Sequence, residues 1–284
     1  MKKKVPVRDK DLVSIIIISK NEDDVMKVLL LSAVNQTYKD IEIILVDNHS
    51  TDNTLKIAKE FNNVVIYNFG PERSAQRNYG AKKAAGKYLL FLDSDMKLTP
   101  KVVEECVKKI KTGKKIGGIA IPEKSVAFNF WEKVKSFERS FYNEKGDSVT
   151  DAARFFPKEV FNKAGGYDET ITGPEDWDLS DNIRNLGYHI NRIESVIYHK
   201  ERINSVIDLA RKKYYYGLKT YRYLRKHNIS PLSAKTVFFL RPIFYKNWSK
   251  IILHPILSLS LLFMLTLELM AGGAGYLIGR LSNK

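Results

Sequence analysis

The chain has 284 residues, 44% hydrophobic and 28% charged, a composition that supports a folded core with length left for an appended element and excludes a disordered chain. Lys and Arg number 47 against 32 Asp and Glu, a formal +15, yet residues 201–284 hold fourteen of these bases and only three acids, a net of +11, so the basic character belongs to the C-terminal third. The one cysteine, Cys106, cannot pair within the chain, which excludes a cysteine-built metal site, and no cleavable apolar leader opens the sequence; together these point to a reducing, cytosol-facing compartment.

The first ten residues read as a solvated, lysine-rich leader. Beyond them, short apolar and β-branched runs predict strands at residues 12–19, 41–47, 64–67, 88–93 and 116–121. Helix starts are expected at Asn21, at Ser50 or Thr51, and at Thr99 ahead of Pro100, each with a capping side chain or an N1 proline. Strands that are apolar throughout, with helices between them, imply a mostly parallel sheet covered on both faces. Residues 1–200 are therefore expected to form a doubly wound α/β domain.

Residues 201–250 form a basic, tyrosine-rich region, with an amphipathic helix predicted over 203–228. Arg211, Lys212, Lys213, Lys219, Arg222, Arg225 and Lys226 interleave there with Tyr214, Tyr215, Tyr216, Tyr221 and Tyr223. Rings at headgroup depth and ammonium groups on phosphates suit a membrane surface; a solvated helix packed on the domain is the plainer alternative. Residues 251–284 follow as a membrane-associated or transmembrane segment. Its apolar part, 251–278, is long enough to cross roughly 30 Å of hydrocarbon. Glu268 is costly inside a membrane, and Pro255 is expected to bend the helix near its start, so one spanning helix and a pair of half-buried helices both fit. Lys235, Arg241, Lys246 and Lys250 precede the segment and place that side in the cytosol. Charge that leads into an apolar run, with no groove or stacking element, argues against a nucleic-acid partner.

The candidate chemistry sits at strand ends. Asp93-Ser94-Asp95 closes the run 88–92, at the carboxyl edge where open α/β sheets bind ligands. Residues two apart in extended backbone project to one side, so both acids can face one Mg²⁺ or Mn²⁺, which would neutralise a diphosphate leaving group. Asp47 ends the second strand and can accept from a pyrimidine N–H or a ribose hydroxyl, or else cap the following helix. Asn21 and Glu22 would line the same edge. Glu175 and Asp176 follow Pro174 and read equally as an acid pair at a helix N-terminus.

Five ordered elements together resemble the family 2 glycosyltransferases of the GT-A fold over residues 12–200. They are Asn21-Glu22; Val46-Asp47 with Ser50-Thr51-Asp52-Asn53-Thr54; Arg77-Asn78-Tyr79-Gly80 before Phe91-Leu92-Asp93-Ser94-Asp95; Gly165-Gly166-Tyr167-Asp168-Glu169; and Glu175-Asp176. The resemblance implies a nucleotide-sugar donor, with Asp47 on the base, Arg77 and Asp93 on the nucleotide, Asp95 on the metal and Asp176 as the general base of an inverting transfer. Glu22, Ser94 and Glu175 join the substrate-binding set. Asp93 is counted also as a metal ligand, and His199, after a strand-like stretch at 193–198, matches a histidine that some members use as one. The acceptor is expected to be lipid-linked. Two departures matter. Asn48-His49 stands where many members have Asp-Gly, and no Gln-x-x-Arg-Trp follows Asp176, since the glutamines are Gln36 and Gln76; the second argues for single-sugar transfer. A sugar nucleotidyltransferase would need a Gly-rich loop where Ser19-Lys20-Asn21-Glu22 has no glycine.

Overall fold

The computed structural model describes residues 11–113, 115–143, 146–147 and 151–282, so the leader expected at 1–10 lies outside the described residues. The chain runs β1 (Val13–Ser19), α1 (Asp23–Val34), β2 (Ile41–Asp47), α2 (Thr54–Ala58), β3 (Val64–Asn68), α3 (Arg73–Lys83) and β4 (Tyr88–Asp93). It continues through β5 (Met96–Leu98), α4 (Val102–Lys111), β6 (Ile116–Ala120), β7 (Glu123–Val126) and α5 (Phe130–Arg139). β8 (Phe155–Pro157), α6 (Lys158–Lys163), α7 (Glu175–Asn185), β9 (His189–Arg192) and β10 (Ile197–Lys200) complete the α/β part.

The seven-stranded sheet has the order β3-β2-β1-β4-β8-β6-β9. Only β8 runs against its neighbours, so the sheet is mostly parallel, as the apolar runs predicted. Every residue of β1 is buried because its two faces feed two cores. Ile15 and Ile17 pack with Met26, Leu29 and Leu30 of α1 and Val103 and Cys106 of α4. Ile16 points the other way, to Ala81 of α3, Phe91, Phe156 and Leu179 of α7. A separate three-stranded sheet, β5-β10-β7, lies at the edge of the α/β unit.

Three helix starts are corrected, each by two or more residues. α1 begins at Asp23, not Asn21, because Asn21 takes φ 55° and its side-chain oxygen accepts from the amide of Thr51 at 2.8 Å. α2 begins at Thr54, not Ser50 or Thr51: Ser50 Oγ accepts from the amide of Asn21, and it is Asp52 that accepts from the amide of Thr54. α4 begins at Val102, after a turn through Pro100. The strand read at 193–198 is instead β10, preceded by a loop tied to α4 through Glu105, which accepts from the amide and hydroxyl of Ser195.

The C-terminal part holds α8 (Val206–Lys226), α9 (Pro242–Lys246), α10 (Trp248–Leu253) and α11 (Pro255–Leu281). Pro255 starts α11 rather than bending it; the break is at His254, whose φ of −129° ends α10. α8 and α11 run in the same direction in close contact at Gly217, Gly272, Gly275 and Gly279. A Cβ on Gly275 would meet the Tyr214 carbonyl oxygen at 2.2 Å, and one on Gly279 would meet that of Leu218 at 2.1 Å. The acid in the apolar run is also explained. Glu268 is buried and paired with Lys135 of α5 at 3.0 Å and Lys213 of α8 at 3.1 Å.

This packing predicts that Gly279→Ala destabilises the chain by about 1–3 kcal/mol through overpacking against backbone. Gly273, where an added Cβ meets nothing within 4 Å, is the control. Gly273→Ala should leave stability unchanged or raise it by up to about 1 kcal/mol through helix propensity. Calorimetric unfolding of the full chain measures both.

Candidate active site

After β1 the chain builds β2 and β3 on one side of it, then returns to place β4 on the other side. The crevice at the carboxyl ends of β1 and β4 is thus a topological switch point, where α/β sheets bind ligands. The loops at Asn21-Glu22, Asp47 and Asp93-Ser94-Asp95 meet there.

Several expected ligand contacts are occupied from within. Asp47 is wholly buried and accepts from Ser19 Oγ at 2.7 Å, the Ser50 amide at 2.7 Å and Ser50 Oγ at 2.6 Å. These bonds brace the loop that follows β2. Ser94 is likewise turned inward, its hydroxyl donating to the Ile18 carbonyl at 2.6 Å, so it locks β4 to β1. Asn48 donates to the Pro71 carbonyl, and His49, where the family pattern has Gly, adopts φ 52°. Glu22 stays at the crevice edge but is paired with Arg202. Burial raises its pKa, Arg202 opposes this, and the nearby Asp95 and Asp24 add to it.

Arg77, carried on α3, is the organising cation. Its guanidinium is buried, and the group donates to Asp93 Oδ1 at 2.7 Å, Asp176 Oδ1 at 3.4 Å and Glu175 Oε1 at 3.5 Å. The Tyr167 ring lies 5.0 Å from it. Arg73, one turn earlier, holds Glu175 at 2.9 Å, and Glu175 also accepts from the Gly173 amide. Glu175 therefore fixes the start of α7, which leaves Asp176 as the partly exposed acid of the pair.

Asp93 is engaged by arginines on both oxygens. Its second oxygen accepts from Arg154 at 3.4 Å, so both oxygens face guanidinium groups. Burial would push this carboxyl up in pKa, but Arg77 and Arg154 overcome it and hold the group far below the ordinary range. The expected grouping of Asp93, Asp95 and His199 does not form; among the described residues no cluster of three His, Cys, Asp or Glu has metal-site geometry.

Asp95 and His199 do come together. β10 pairs with β5 in a register that sets His199 opposite Met96, and His199 Nε2 lies 3.3 Å from Asp95 Oδ1. Its Nδ1 is 2.9 Å from Glu123 Oε2 and 2.8 Å from Arg139 Nη1. Burial and Arg139 pull the imidazole pKa down; Asp95 and Glu123 more than reverse this, to about 9. Asp95 Oδ1 and Arg77 Nε are the two buried side-chain polar atoms without a hydrogen-bond partner among the described residues, and both are in this crevice. A carboxylate oxygen 3.3 Å from an imidazole nitrogen forms with it a donor pair that suits a borderline cation such as Mn²⁺, and Glu123 is placed to orient Nδ1–H. Such a cation would displace the proton on Nε2.

A cavity of about 820 Å³ adjoins this site. Glu123, Arg154, Asp176 and His199 line one side; Lys213, Tyr216, Glu268, Leu269 and Tyr276 of α8 and α11 line the other. Sequence reasoning missed Arg154, Glu123, Arg139 and Arg73. None carries a spacing signal: Arg154 precedes the antiparallel strand β8, and Glu123 opens β7, elements too short to be read from periodicity. Tyr167 was within a recognised motif but without a role.

A family model described as glycosyl transferase family 2 matches residues 14–163. Over 89 residues the chain is 42% identical to the UDP-Glc:alpha-D-GlcNAc-diphosphoundecaprenol beta-1,3-glucosyltransferase WfaP of Escherichia coli, a match spanning 30% of this chain and 36% of that relative. Among solved structures, S. aureus TarS 1-349 in complex with UDP-GlcNAc superposes with TM-score 0.55 at 18% identity, covering 73% of this chain and 66% of that one. The mannosyltransferase PcManGT of Pyrobaculum calidifontis, in complex with GDP-Man and Mn²⁺, gives 0.61 at 15% identity over 94% and 74%. The chain spans about a third of the length of the curated relative WfaP. The family match takes in more than half of the chain, and the GT-A fold of these neighbours accounts for the crevice at β1 and β4: this chain belongs to glycosyltransferase family 2.

Proposed function

We propose that the chain transfers a single sugar, with inversion and divalent-cation assistance, from a nucleotide-sugar donor to a lipid-linked acceptor at the cytosolic face of a membrane. The observation that carries this reading is the cavity, because it joins Asp176 and His199 to a wall of α8 and α11 in which Leu224, Leu265 and Leu269 lie beside Lys213 and Glu268. An acceptor with a polar head and a long apolar tail has a place for each part there. The printed substrate of WfaP, a diphosphoundecaprenol-linked sugar, supports the same acceptor class.

Asp95 and His199 are the residues that would hold the cation, whose chemistry there is to neutralise a diphosphate leaving group. Arg77 holds Asp93, Glu175 and Asp176 in one ionic cluster, so the start of α7 is fixed relative to the carboxyl end of β4. Asp176 keeps its carboxylate at the cavity, where it takes the proton of an attacking acceptor hydroxyl. It is hydrogen-bonded through one oxygen, at 3.4 Å, which leaves acceptor capacity for that role. Incubating the full chain with a panel of nucleotide-sugars and Mn²⁺, and reading release of nucleoside diphosphate, tests the donor half of the proposal. Release with no donor would reject it.

Asp176→Asn should lower turnover by about 10²-fold or more while donor KM stays close to wild type, since general-base catalysis contributes about 10²–10⁴. Steady-state kinetics on the donor identified by the panel separates this from a binding role, in which KM would rise and kcat persist. Asp95→Ala should abolish the Mn²⁺ dependence of nucleoside diphosphate binding in titration calorimetry and leave the unfolding temperature near wild type. Retained Mn²⁺ dependence would remove Asp95 from the cation site.

A further inference from the structure

We propose that α10 and α11 lie in the plane of an anionic bilayer as a one-sided dock and that α11 does not cross it; the inference rests on the membrane half of the reading above and goes beyond it in fixing the geometry. By length and composition α11 is long and apolar enough to span, so neither property decides. Its two faces do.

The inner face is joined to the globular part along the helix. Leu261, Met264 and Leu265 pack with Val134 and Phe137 of α5, Glu268 is held by Lys135 and Lys213, and Gly275 and Gly279 seat the backbone of α8. α8 carries Arg211, Lys212, Lys219, Arg225 and Lys226. Sending α11 across hydrocarbon would either draw these charges in with it or strip Glu268 of both its partners, and charged groups at the bilayer centre are strongly disfavoured.

The outer face is a single apolar stripe. Ile256, Leu259, Phe263, Met270, Leu277 and Leu281 are 53–72% exposed. At about 100° per residue they fall within a narrow arc, opposite Leu261, Glu268, Gly275 and Gly279. On α10, Ile252, Leu253 and Trp248 are exposed in the same way, as is Tyr245 just before it. Lys246 and Arg280 are exposed at the two ends of this surface. An apolar stripe edged by aromatic rings and cations is the pattern of a helix lying in a lipid interface. A second copy of the chain is the competing occupant, but each copy would bring the same basic C-terminal third, +11 over residues 201–284, to the contact. An anionic lipid surface complements that charge, at about 1 kcal/mol per Lys or Arg near the surface.

The test uses the full chain with single substitutions Ile256→Cys, Phe263→Cys, Met270→Cys or Leu277→Cys, each labelled with an environment-sensitive fluorophore. Cys106 is fully buried and escapes labelling in the folded protein. With vesicles of phosphatidylethanolamine and phosphatidylglycerol, depth-dependent quenching by spin-labelled lipids should place all four probes at one shallow depth. Met270→Asp with Leu259→Asp should weaken vesicle binding at least tenfold. Probes at 263 and 270 near the bilayer centre, with those at 256 and 277 towards opposite faces, would establish a spanning helix and overturn the proposal. Probes unaffected by vesicles would overturn it too, and a concentration-dependent dimer in the same samples would assign the stripe to a second copy. Nucleoside diphosphate binding, measured on the same preparations, reports on the catalytic reading separately.

Discussion

The buried guanidinium of Arg77 is the constraint on which the rest of the site depends. A cation out of water must be paired, and removing one partner of a buried ion pair costs on the order of 3–5 kcal/mol. Arg77 draws its partners from β4, in Asp93, and from the start of α7, in Glu175 and Asp176, so two segments more than eighty residues apart are held at one point. Arg154 extends the network to Glu123, and Arg73 shares Glu175 Oε1 with Arg77. The two carboxylates of a three-residue motif are thereby separated: Asp93 pairs with two arginines, and Asp95 meets His199.

The same logic of paired buried charge operates at the C-terminal end. Glu268 would be a liability in a lone apolar helix, yet here it joins α11 to α5 and α8 through two lysines. The glycines that let α8 approach α11 make that geometry possible, since Lys213 reaches Glu268 only when the two backbones are close. α11 is consequently part of the folded unit. Its removal would uncover Val134, Phe137 and Leu209 along with the wall of the cavity that faces Asp176.

Much of the architecture was legible in the residues alone. Continuous apolar runs ending in acids are dictated by strands buried on both faces with their carboxyl ends at a ligand crevice, so β1 to β4 and the positions of Asp47, Asp93 and Asp95 followed from local pattern. Helix starts were less legible. Asn21, Ser50 and Thr51 are good capping residues, but they hydrogen-bond one another between two loops instead, a choice made by residues about thirty apart.

The sequence by itself determined which side chains carry charge at the strand ends, that a basic segment leads into an apolar one, and, through five ordered motifs, the family. Only the tertiary structure decided what each charge does. Asp47 and Ser94 are consumed by Ser19, Ser50 and Ile18; Asp93 is consumed by two arginines; and Asp95 meets His199 because β10 pairs antiparallel with β5 across about a hundred residues of chain. Whether an apolar helix of this length stands alone or lies against charged neighbours depends likewise on contacts from α5 and α8. Hydrophobic pattern is local and periodic and can be read along a chain, whereas the pairing of buried charges depends on which distant groups share a low-dielectric space, and only the folded chain specifies that.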